Sequence, residues 1–342
     1  MKAVFDDRQW RHEPQYFMAN GLTKPSPEQA TRIARLTDGA NAASCDFIAP
    51  QDAGLGPVAA VHTPEYVTFL RNIYTRWQRM PEAGAEVIPN IHPANRSDTY
   101  PKSAVGQAGY HQADTACPIG AHTWEAAYWG AQSAVTAADL VAGGDRAAYA
   151  LCRPPGHHAF SDLAGGFCFL NNAAVAAGRL QRLCLRVAIL DVDVHHGNGT
   201  QGIFYDRGDV LTVSVHADPA RFYPFFWGHA DERGAGPGLG CNLNLPLPRG
   251  TGDDSYLQTL SRGLERIEAF GADAVVVALG LDAYEGDPFQ GLAITTPGFA
   301  RIGAAIAGLG LPTLFVQEGG YLCEELGQNL TATLTGFEEA AT

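Results

Sequence analysis

Short apolar segments alternate with helix-like segments along the second half of the chain. The apolar segments are continuous in Val, Ile, Leu and Ala, which is typical of parallel strands that are buried on both faces. Strands are predicted at residues 146–153, 186–193, 210–217, 274–280 and 312–320. Helices are predicted at Asn171–Leu183, near 253–270 and at Pro297–Gly308. This order predicts an α/β fold: a single domain, 1–342, with a mostly parallel central sheet flanked by helices.

The first half of the chain contains fewer regular patterns. The segment "KAVF" predicts a strand, and helices are predicted around 64–77 and 122–142. Between these helices, residues 82–121 are rich in Pro, Asn, Ser and His and lack a regular apolar period. A loop this long in a compact domain is usually functional or an interaction arm. Disorder is the alternative, although the Tyr, Ile and Val of the segment argue against full disorder.

Polar residues follow four of the predicted strands. The four segments read "CRPPGHHAF", "ILDVDVHHGNG", "ALGLDAYEGDP" and "VQEGGYL". Parallel strands all end at the same edge of a sheet, and open α/β sheets bind their ligands in the crevice there. We therefore expect the four segments to meet and to form a functional site.

The segment Leu190–Thr200 places two aspartates and two histidines after a buried strand. Side chains of an extended chain repeat every two residues, so Asp191, Asp193 and His195 should share one side. Buried charges of this kind need a cation or a proton to offset them. With Asp282, the pair Asp193 and His195 forms an O, N, O ligand set with open positions, as in catalytic metal sites. Zn²⁺ suits this set, and Fe²⁺, Co²⁺ or Mn²⁺ would also be tolerated. A lone Asp at a strand end is more often a cap than a ligand, so the assignment of Asp282 depends on the other two.

Two other segments carry residues that suit catalysis. The rigid "PPG" turn presents His157 and His158, and neither imidazole has an apolar role there. Tyr321 follows two glycines, which indicates a mobile or closely approached backbone. Core packing is the alternative for this tyrosine. His196 should point away from Asp193 and is interpreted as structural.

Composition narrows the functional classes. The 342 residues are 46% hydrophobic and 17% charged, with neither a membrane-spanning apolar run nor a secretory signal, which predicts a cytoplasmic protein. The net charge of −13 disfavours binding to nucleic acid or membrane and mildly favours small cationic molecules. The cysteines contain no CxxC pair, so neither a disulfide framework nor a thiolate zinc site is expected, and most should be buried. They lie at positions 45, 117, 152, 168, 184, 241 and 323.

Four motifs together resemble the arginase/deacetylase superfamily: "RPPGHHA", "GGFCFLNNAAVAA", "ILDVDVHHGNGTQ" and "EGGY". The similarity is to zinc-dependent histone deacetylases and, most closely, to acetylpolyamine amidohydrolases, and it covers most of the chain. The resemblance implies the arginase/deacetylase fold. It also implies hydrolysis of acetylated polyamines or diamines, such as acetylputrescine, acetylcadaverine and acetylspermidine, by metal-activated water.

The resemblance assigns roles to individual residues. It makes Asp193, His195 and Asp282 the ligands of the metal. Tyr321 would donate its hydroxyl to the scissile carbonyl and, with the metal, stabilise the tetrahedral oxyanion.

The same resemblance makes His158 the general base and His157 the electrostatic partner that stays protonated for much of the cycle. Asp191 and Asn198 match the partners of His157 and His158, respectively. A carboxylate on one imidazole and an amide on the other should separate their pKa values, because only the carboxylate stabilises imidazolium by charge.

Substrate contacts are implied as well. Phe167 and Tyr223 would wall the tunnel for the acylated amine, and the carbonyl of Gly166 would accept the substrate amide N–H. A structural K⁺ is implied beside the zinc, held by the residues Asp191, Asp193, His195 and Ser214.

In acetylpolyamine amidohydrolases a long loop builds a homodimer and narrows the active-site mouth with acidic residues. The corresponding segment here is 82–121, which predicts a homodimer and a small cationic acetylated amine as substrate. The positions that align with those acids are apolar, near Val105 and Ala116, and Asp114 is the nearest acidic replacement.

Three other functions stay open at this stage. A lysine deacetylase acting on peptides or proteins would use the same chemistry. A two-manganese ureohydrolase shares the fold but needs extra bridging aspartates and histidines. A metal-stabilised sensor of acetylated amines would need neither the base His158 nor the donor Tyr321.

Overall fold

The computed structural model describes residues 1–93, 97, 99–182 and 186–341. Within these residues the chain forms a parallel eight-stranded sheet and a separate antiparallel hairpin, which confirms the predicted α/β class. The sheet contains β1 (Lys2–Val4), β4 (Asp46–Ile48), β5 (Ala147–Ala150), β6 (Val187–Asp191), β7 (Val210–Ala217), β8 (Asn242–Leu247), β9 (Ala274–Leu279) and β10 (Thr313–Gln317). The hairpin pairs β2 (Tyr16–Ala19) with β3 (Leu22–Pro25). The strand order of the sheet is β4-β1-β5-β10-β9-β6-β7-β8.

Helices cover both faces of the sheet. They are α1 (Arg32–Ala42), α2 (Gly56–Ala59), α3 (Pro64–Trp77), α4 (Ala104–His111), α5 (Thr123–Ala142), α6 (Asn172–Leu180), α7 (Asn198–Phe204), α8 (Asp253–Phe270), α9 (Thr296–Ala307) and α10 (Leu326–Ala340). Successive strand residues pack to opposite sides: Val275 and Val277 contact the layer of α1, α8, α9 and α10, whereas Val276 contacts the layer of α5, α6 and α7. Burial on both sides explains the continuous apolar runs of the strands.

The strands end earlier than the sequence pattern predicts. The strand predicted at 186–193 ends at Asp191, and the one at 312–320 ends at Gln317. The backbone N–H of Asp193 donates to the side chain of Asp191 at 3.0 Å instead of continuing the ladder. Asp193 and His195 therefore lie in a turn after the strand and not in the extended run that was expected.

The predicted helices agree closely with α3, α5, α8 and α9. The helix expected at Asn171–Leu183 begins one residue later as α6, with Asn171 as its cap, because the Asn171 side chain accepts the N–H of Ala174 at 2.9 Å. Its predicted end at Leu183 and the cysteine at 184 lie outside the described residues.

The predicted loop at 82–121 contains α4, which the sequence pattern did not predict. Val87 and Ile119 close its base as an antiparallel pair, with N···O distances of 2.9 and 3.3 Å. Inside it, the buried side chain of Gln112 donates to the carbonyls of Val87 and Cys117. Residues 94–96 and 98 of this segment lie outside the described residues. The rest of the loop is folded, so the alternative of full disorder is not needed for it.

Several strands and helices were not predicted from the sequence pattern. The hairpin turns at Asn20 and Gly21, which have φ values of 54° and 75°. The pair Asn-Gly is the preferred sequence of such two-residue turns, so this hairpin was predictable. The strands β4 and β8 and the helices α1, α7 and α10 were also not predicted.

The described cysteines are all free, as expected: Cys45, Cys117, Cys152, Cys168, Cys241 and Cys323. Among the described helices, none combines enough length with enough apolarity to cross a bilayer.

Helices α1 and α10 touch backbone to backbone at Gly39 and Gly327. A Cβ atom on Gly39 would lie 2.3 Å from the carbonyl oxygen of Gly327. We expect Gly39→Ala to lower the free energy of unfolding by about 1–3 kcal/mol, because the helices must move apart. Urea denaturation measures this change.

The matched control is Gly178→Ala in α6. A Cβ atom there would meet only a methyl group of Val61 at 3.9 Å. This variant should gain about 0.5–1 kcal/mol, because alanine favours the helix more than glycine does. Equal effects of the two substitutions would contradict the close approach of α1 and α10.

Candidate active site

The site forms at the carboxyl ends of four neighbouring strands. β5, β10, β9 and β6 lie side by side in the centre of the sheet. The four polar segments predicted from the sequence follow these four strands, so the structure brings them together. Residues from all four segments are buried, and hydrogen bonds join them: Glu318 to His157, Asp191 to His157, and Asp282 to His195.

Asp193, His195 and Asp282 form a compact O, N, O group. Their candidate ligand atoms all lie within 4.8 Å of one another, and the side chains are buried. The Nδ1 atom of His195 is 3.1 Å from Asp193 Oδ1 and 3.2 Å from Asp282 Oδ2. Two carboxylates that converge on one imidazole nitrogen fit a divalent cation, because a single proton satisfies only one of them well.

Backbone groups fix the two carboxylates in place. Asp193 Oδ2 accepts the N–H of Gly319 at 2.8 Å, and Asp282 Oδ1 accepts the N–H of Val194 at 2.9 Å. A Cβ atom on Gly319 would lie 2.2 Å from Asp282 Oδ2, so only glycine fits at this position. Such outer contacts orient the ligands of a metal site.

The electrostatics also favour a cation. Burial opposes a charge on His195, but hydrogen bonds to Asp193 and Asp282 outweigh it and raise its pKa to about 9. Burial and the charge of Asp193 raise the pKa of Asp282 to about 6. A proton at this place competes with a metal for the same lone pairs, so metal binding should release it.

A second group of metal-ligating side chains lies next to the first and is less suited to a metal. It consists of His157, Cys168 and Glu318. Burial raises the pKa of the Cys168 thiol well above its usual range, and a protonated thiol is a poor ligand. Glu318 Oε2 already accepts the N–H groups of Gly156 at 2.6 Å and of His157 at 3.0 Å.

The two neighbouring histidines have different partners. His157 Nδ1 lies 2.9 Å from Asp191 Oδ2, and His158 Nδ1 lies 2.7 Å from Asn198 Oδ1. Their ring centroids are 4.0 Å apart. These are the contacts that the resemblance implied.

The two imidazoles differ in charge. Burial disfavours a proton on His157, but the carboxylates of Asp193 and Asp191 outweigh it and raise its pKa to about 10. Burial, followed by the positive charges of His157 and His195, lowers the pKa of His158 well below its usual value. Near neutral pH, His157 is therefore an imidazolium and His158 is neutral.

Tyr321 is almost fully buried at the same edge. Burial and the charge of Asp282 raise its pKa well above the usual range, so its phenol keeps its proton and can donate it in a hydrogen bond. Asp287 Oδ2 accepts the backbone N–H of Tyr321 at 3.0 Å. The ring packs edge-on against Phe289, with centroids 4.8 Å apart, and against Phe167, at 5.8 Å.

Aromatic rings pack around this group. Tyr223 packs edge-on against His158 at 4.9 Å, and Phe167 lies against Tyr321. A Cβ atom on Gly166 would lie 2.4 Å from a ring carbon of His158, which places Gly166 directly beside this imidazole. The Gly166 carbonyl oxygen accepts the weak donor Cys168 Sγ at 3.4 Å.

Asp114 contacts both Tyr223 and Gly166. Its Oδ2 accepts the hydroxyl of Tyr223 at 2.7 Å and the N–H of Gly166 at 3.2 Å. Its Oδ1 accepts the N–H of Ala116 at 2.8 Å. Asp114 is only half-buried, so solvent reaches the residues beside Tyr223 and Gly166 there. Val105, in contrast, packs against the apolar cluster around α3 and α4.

Ser214 lies beside Asp191 in the register of β6 and β7. Its hydroxyl is 2.7 Å from His216 Nδ1. His196 is buried and contacts the ring of His216, in agreement with a structural role.

Several residues of the site were missed from the sequence. Phe222 stacks on the ring of His195 at 4.9 Å, and Phe289 lies edge-on to the same ring at 5.2 Å. Phe17 of the hairpin contacts Phe167 at 5.9 Å. An aromatic residue has an ordinary packing explanation, so nothing in the sequence separates these three from core residues. Asp287 belongs to the quoted segment "ALGLDAYEGDP", five residues after Asp282, but it was not assigned a role from the sequence.

Known proteins similar to this chain share both sequence and fold. Residues 26–337 match the model of the histone deacetylase domain. The acetylpolyamine amidohydrolase of Burkholderia pseudomallei is 47% identical over 338 residues, which cover 98% of each chain. Acetylpolyamine amidohydrolase 1 of Pseudomonas aeruginosa is 43% identical over 100% of each chain. The crystal structure of acetylpolyamine aminohydrolase from Burkholderia pseudomallei matches with a TM-score of 0.97 over 99% of each chain. The chain therefore belongs to the histone deacetylase domain family of hydrolases.

Proposed function

We propose that this deacetylase removes acetyl groups from small acetylated amines, such as acetylputrescine, acetylcadaverine and acetylspermidine. The observation that carries the proposal is a pair of adjacent imidazoles, a charged His157 and a neutral His158, beside a buried O, N, O group. Hydrolysis of an amide needs both a base for water and a fixed positive charge. The names of the similar proteins support an acetylated amine as substrate.

Asp193, His195 and Asp282 would hold the divalent metal, and zinc is the ion that suits this donor set best. When bound, the metal supplies a Lewis acid that polarises the substrate carbonyl and lowers the pKa of water. Ser214 with the backbone of Asp191, Asp193 and His195 would hold a structural K⁺; this second site stays a prediction.

His158 acts as the base in this proposal. Its Nδ1 carries the proton that is donated to Asn198 Oδ1, so its Nε2 is free to accept a proton from water. The low pKa of this imidazole keeps it neutral before the reaction. The same Nε2 then gives the proton to the leaving amine. His157, held by Asp191, remains an imidazolium and offsets negative charge that develops nearby.

The phenol of Tyr321 donates a hydrogen bond to the oxygen of the scissile carbonyl. Asp287 fixes the backbone of this tyrosine, and Phe289 and Phe167 fix its ring. A hydroxyl that is already oriented stabilises the oxyanion without reorganisation. Phe167 and Tyr223 wall the path of the substrate chain, and the carbonyl of Gly166 would accept its amide N–H.

Asp114 supports a cationic substrate. It adds a negative charge where the wall of the path meets solvent, and it holds Tyr223 and Gly166 in place. The net charge of −13 attracts small cations in addition. The alternative is a lysine deacetylase that acts on peptides or proteins, which would use the same residues.

A homodimer would explain the apolar surface near the mouth. Tyr16, Met18 and Leu22 of the hairpin and Ile91 of the 82–121 segment are exposed. The hairpin and this segment are linked by a hydrogen bond from the N–H of Gln15 to Glu86 at 2.9 Å. Exposed apolar patches of this kind mark interaction surfaces. A second copy docked there would narrow the mouth and exclude bulky substrates.

Removal of the proposed acid–base and donor groups should stop chemistry without loss of metal. We expect His158→Ala to lower kcat by about 10²–10⁴. Tyr321→Phe should lower kcat by about 10²–10³, because one oxyanion donor is lost. Steady-state kinetics measure both, and a fall of less than about tenfold in either variant would contradict the assigned role.

Metal analysis provides the control. The wild type, His158→Ala and Tyr321→Phe should each bind close to one divalent metal per subunit, whereas Asp193→Ala should bind none. Close to two metals in the wild type would favour the ureohydrolase alternative. Stoichiometric zinc in Asp193→Ala would remove this residue from the ligand set.

The substrate class is tested by kcat/KM on acetylcadaverine and on an acetyl-lysine peptide. The two share the scissile bond and differ in what must pass the mouth. We expect a preference of at least about tenfold for the diamine. Asp114→Asn should reduce this preference, because it removes the negative charge beside Tyr223. A preference for the peptide would make the protein a lysine deacetylase.

Sedimentation tests the homodimer. The wild type should sediment as a dimer, and the double variant Leu22→Glu, Ile91→Glu as a monomer, because buried charges disfavour the interface. Leu239→Glu is the matched control, since Leu239 is also exposed but precedes β8, an edge strand of the sheet, and belongs neither to the hairpin nor to the 82–121 segment. A monomeric wild type would refute the dimer.

A further inference from the structure

A buried charge cluster lies outside the groups that have been given a role. Glu28, Arg32 and Arg153 are all fully buried. Glu28 Oε1 accepts Arg32 Nη1 at 2.7 Å and Arg153 Nε at 2.9 Å, so one oxygen joins two guanidinium groups. Burial opposes the charge of Glu28, but Arg153 and Arg32 outweigh it and lower its pKa.

Arg32 connects this cluster to the segment that carries Tyr321. Its Nε donates to the carbonyl of Gly320 at 2.5 Å, and its Nη2 donates to the carbonyl of Glu318 at 2.7 Å. Its guanidinium carbon lies 5.0 Å from the centre of the Tyr321 ring. The guanidinium therefore binds the backbone carbonyls on both sides of Gly319 and lies against the ring of Tyr321, the proposed oxyanion donor.

Arg153 connects the cluster to the turn that carries His157 and His158. Its Nη1 donates to the carbonyl of Gln9 at 2.8 Å, and its Nη2 donates to the carbonyl of Glu28 at 3.2 Å. Its backbone N–H donates to the side chain of Gln9 at 2.5 Å. Both the side chain and the backbone of the first residue of the turn are thus fixed.

The contacts close into a ring. Glu28 binds Arg32, Arg32 binds the carbonyl of Glu318, and the Glu318 side chain accepts the N–H of His157. The chain then runs back from His157 to Arg153, which binds Glu28. Glu28 and Arg32 belong to neither catalytic segment, and Glu28 is the residue that contacts both arginines.

Stability alone gives a weak explanation for this arrangement. Two buried guanidinium groups share one carboxylate, so the cluster of Glu28, Arg32 and Arg153 taken by itself has an excess positive charge. The desolvation of buried ions often exceeds their attraction, and apolar replacements are often as stable. A fixed geometry between two segments is what such a cluster provides in return.

We propose that Glu28 is a positioning residue for deacetylation. Through Arg32 it sets the place of Tyr321, and through Arg153 it sets the turn of His157 and His158, so that donor and base face the same carbonyl. The proposal rests on the roles assigned to Tyr321 and His158 under the proposed function.

A double-mutant cycle of Glu28→Gln and Tyr321→Phe, on metal-loaded enzyme with acetylcadaverine, tests this proposal. Glu28→Gln should lower kcat at least about tenfold, leave KM within about threefold, and retain one metal per subunit. In the Tyr321→Phe background its effect on kcat should be at least about threefold smaller, because the hydroxyl that it misplaces is absent. A purely structural role would give equal effects in both backgrounds, and that result overturns the proposal.

The matched control is Asp253→Asn. The Asp253 carboxylate also joins two segments, because it accepts the N–H and the hydroxyl of Thr295, and neither of these hydrogen bonds reaches a catalytic segment. Its kcat should stay within about twofold of the wild type. A loss as large as that of Glu28→Gln would show a general response to a lost carboxylate and would overturn the proposal.

Arg32→Lys and Arg153→Lys keep the buried charges and serve if Glu28→Gln does not fold. Arg32→Lys should couple to Tyr321→Phe and not to His158→Ala, and Arg153→Lys should show the reverse. Additive effects in both cycles would overturn the proposal. A wild type without turnover of acetylated amines, or full activity in Tyr321→Phe, would refute the proposed function and the positioning role together.

Discussion

Buried negative charge at one edge of the sheet governs the rest of this structure. Asp191, Asp193 and Asp282 all lie in the interior, within reach of one another, where a bare carboxylate is costly. Each is compensated: one by an imidazolium, the other two by backbone N–H groups and by the nitrogen of His195. The backbone groups beyond the strand ends, the close contacts at glycine and the proposed cation all help to compensate the negative charge of these buried carboxylates.

The two neighbouring histidines differ in charge because their surroundings differ. Asp191 and Asn198 present an oxygen of similar geometry to neighbouring imidazoles, at 2.9 and 2.7 Å. Only the first oxygen carries a charge, and it acts together with Asp193 to keep a second proton on His157, whereas burial and the charges of His157 and His195 keep His158 neutral. Two adjacent histidines thereby acquire different charges. Their hydrogen-bond partners, Asp191 and Asn198, lie 34 and 40 residues away along the chain.

The sequence predicted most of the central site because charged residues stood directly after continuous apolar runs. Asp193, His195 and Asp282 are recognisable as candidate metal ligands only in that context. The parallel topology implied that they lie close together. It did not predict where the strands end, since the side chain of Asp191 intercepts the backbone of Asp193. Phe222 and Phe289 escaped because an aromatic ring is usually core. Glu28 and Arg32 escaped because charged residues in a segment such as "PSPEQATRIAR" are normally solvated.

The order of the strands has a consequence for how the molecule is made. β10 follows every other described strand along the chain, yet it lies between β5 and β9 in the middle of the sheet. A nascent chain that has not yet reached Thr313 lacks this central strand, so its two half-sheets, β4-β1-β5 and β9-β6-β7-β8, have exposed edges facing each other. The same strand leads into Glu318 and Tyr321. Closure of the sheet and completion of the proposed catalytic group therefore both require β10, and we expect a chain that ends before this strand to lack hydrolytic activity.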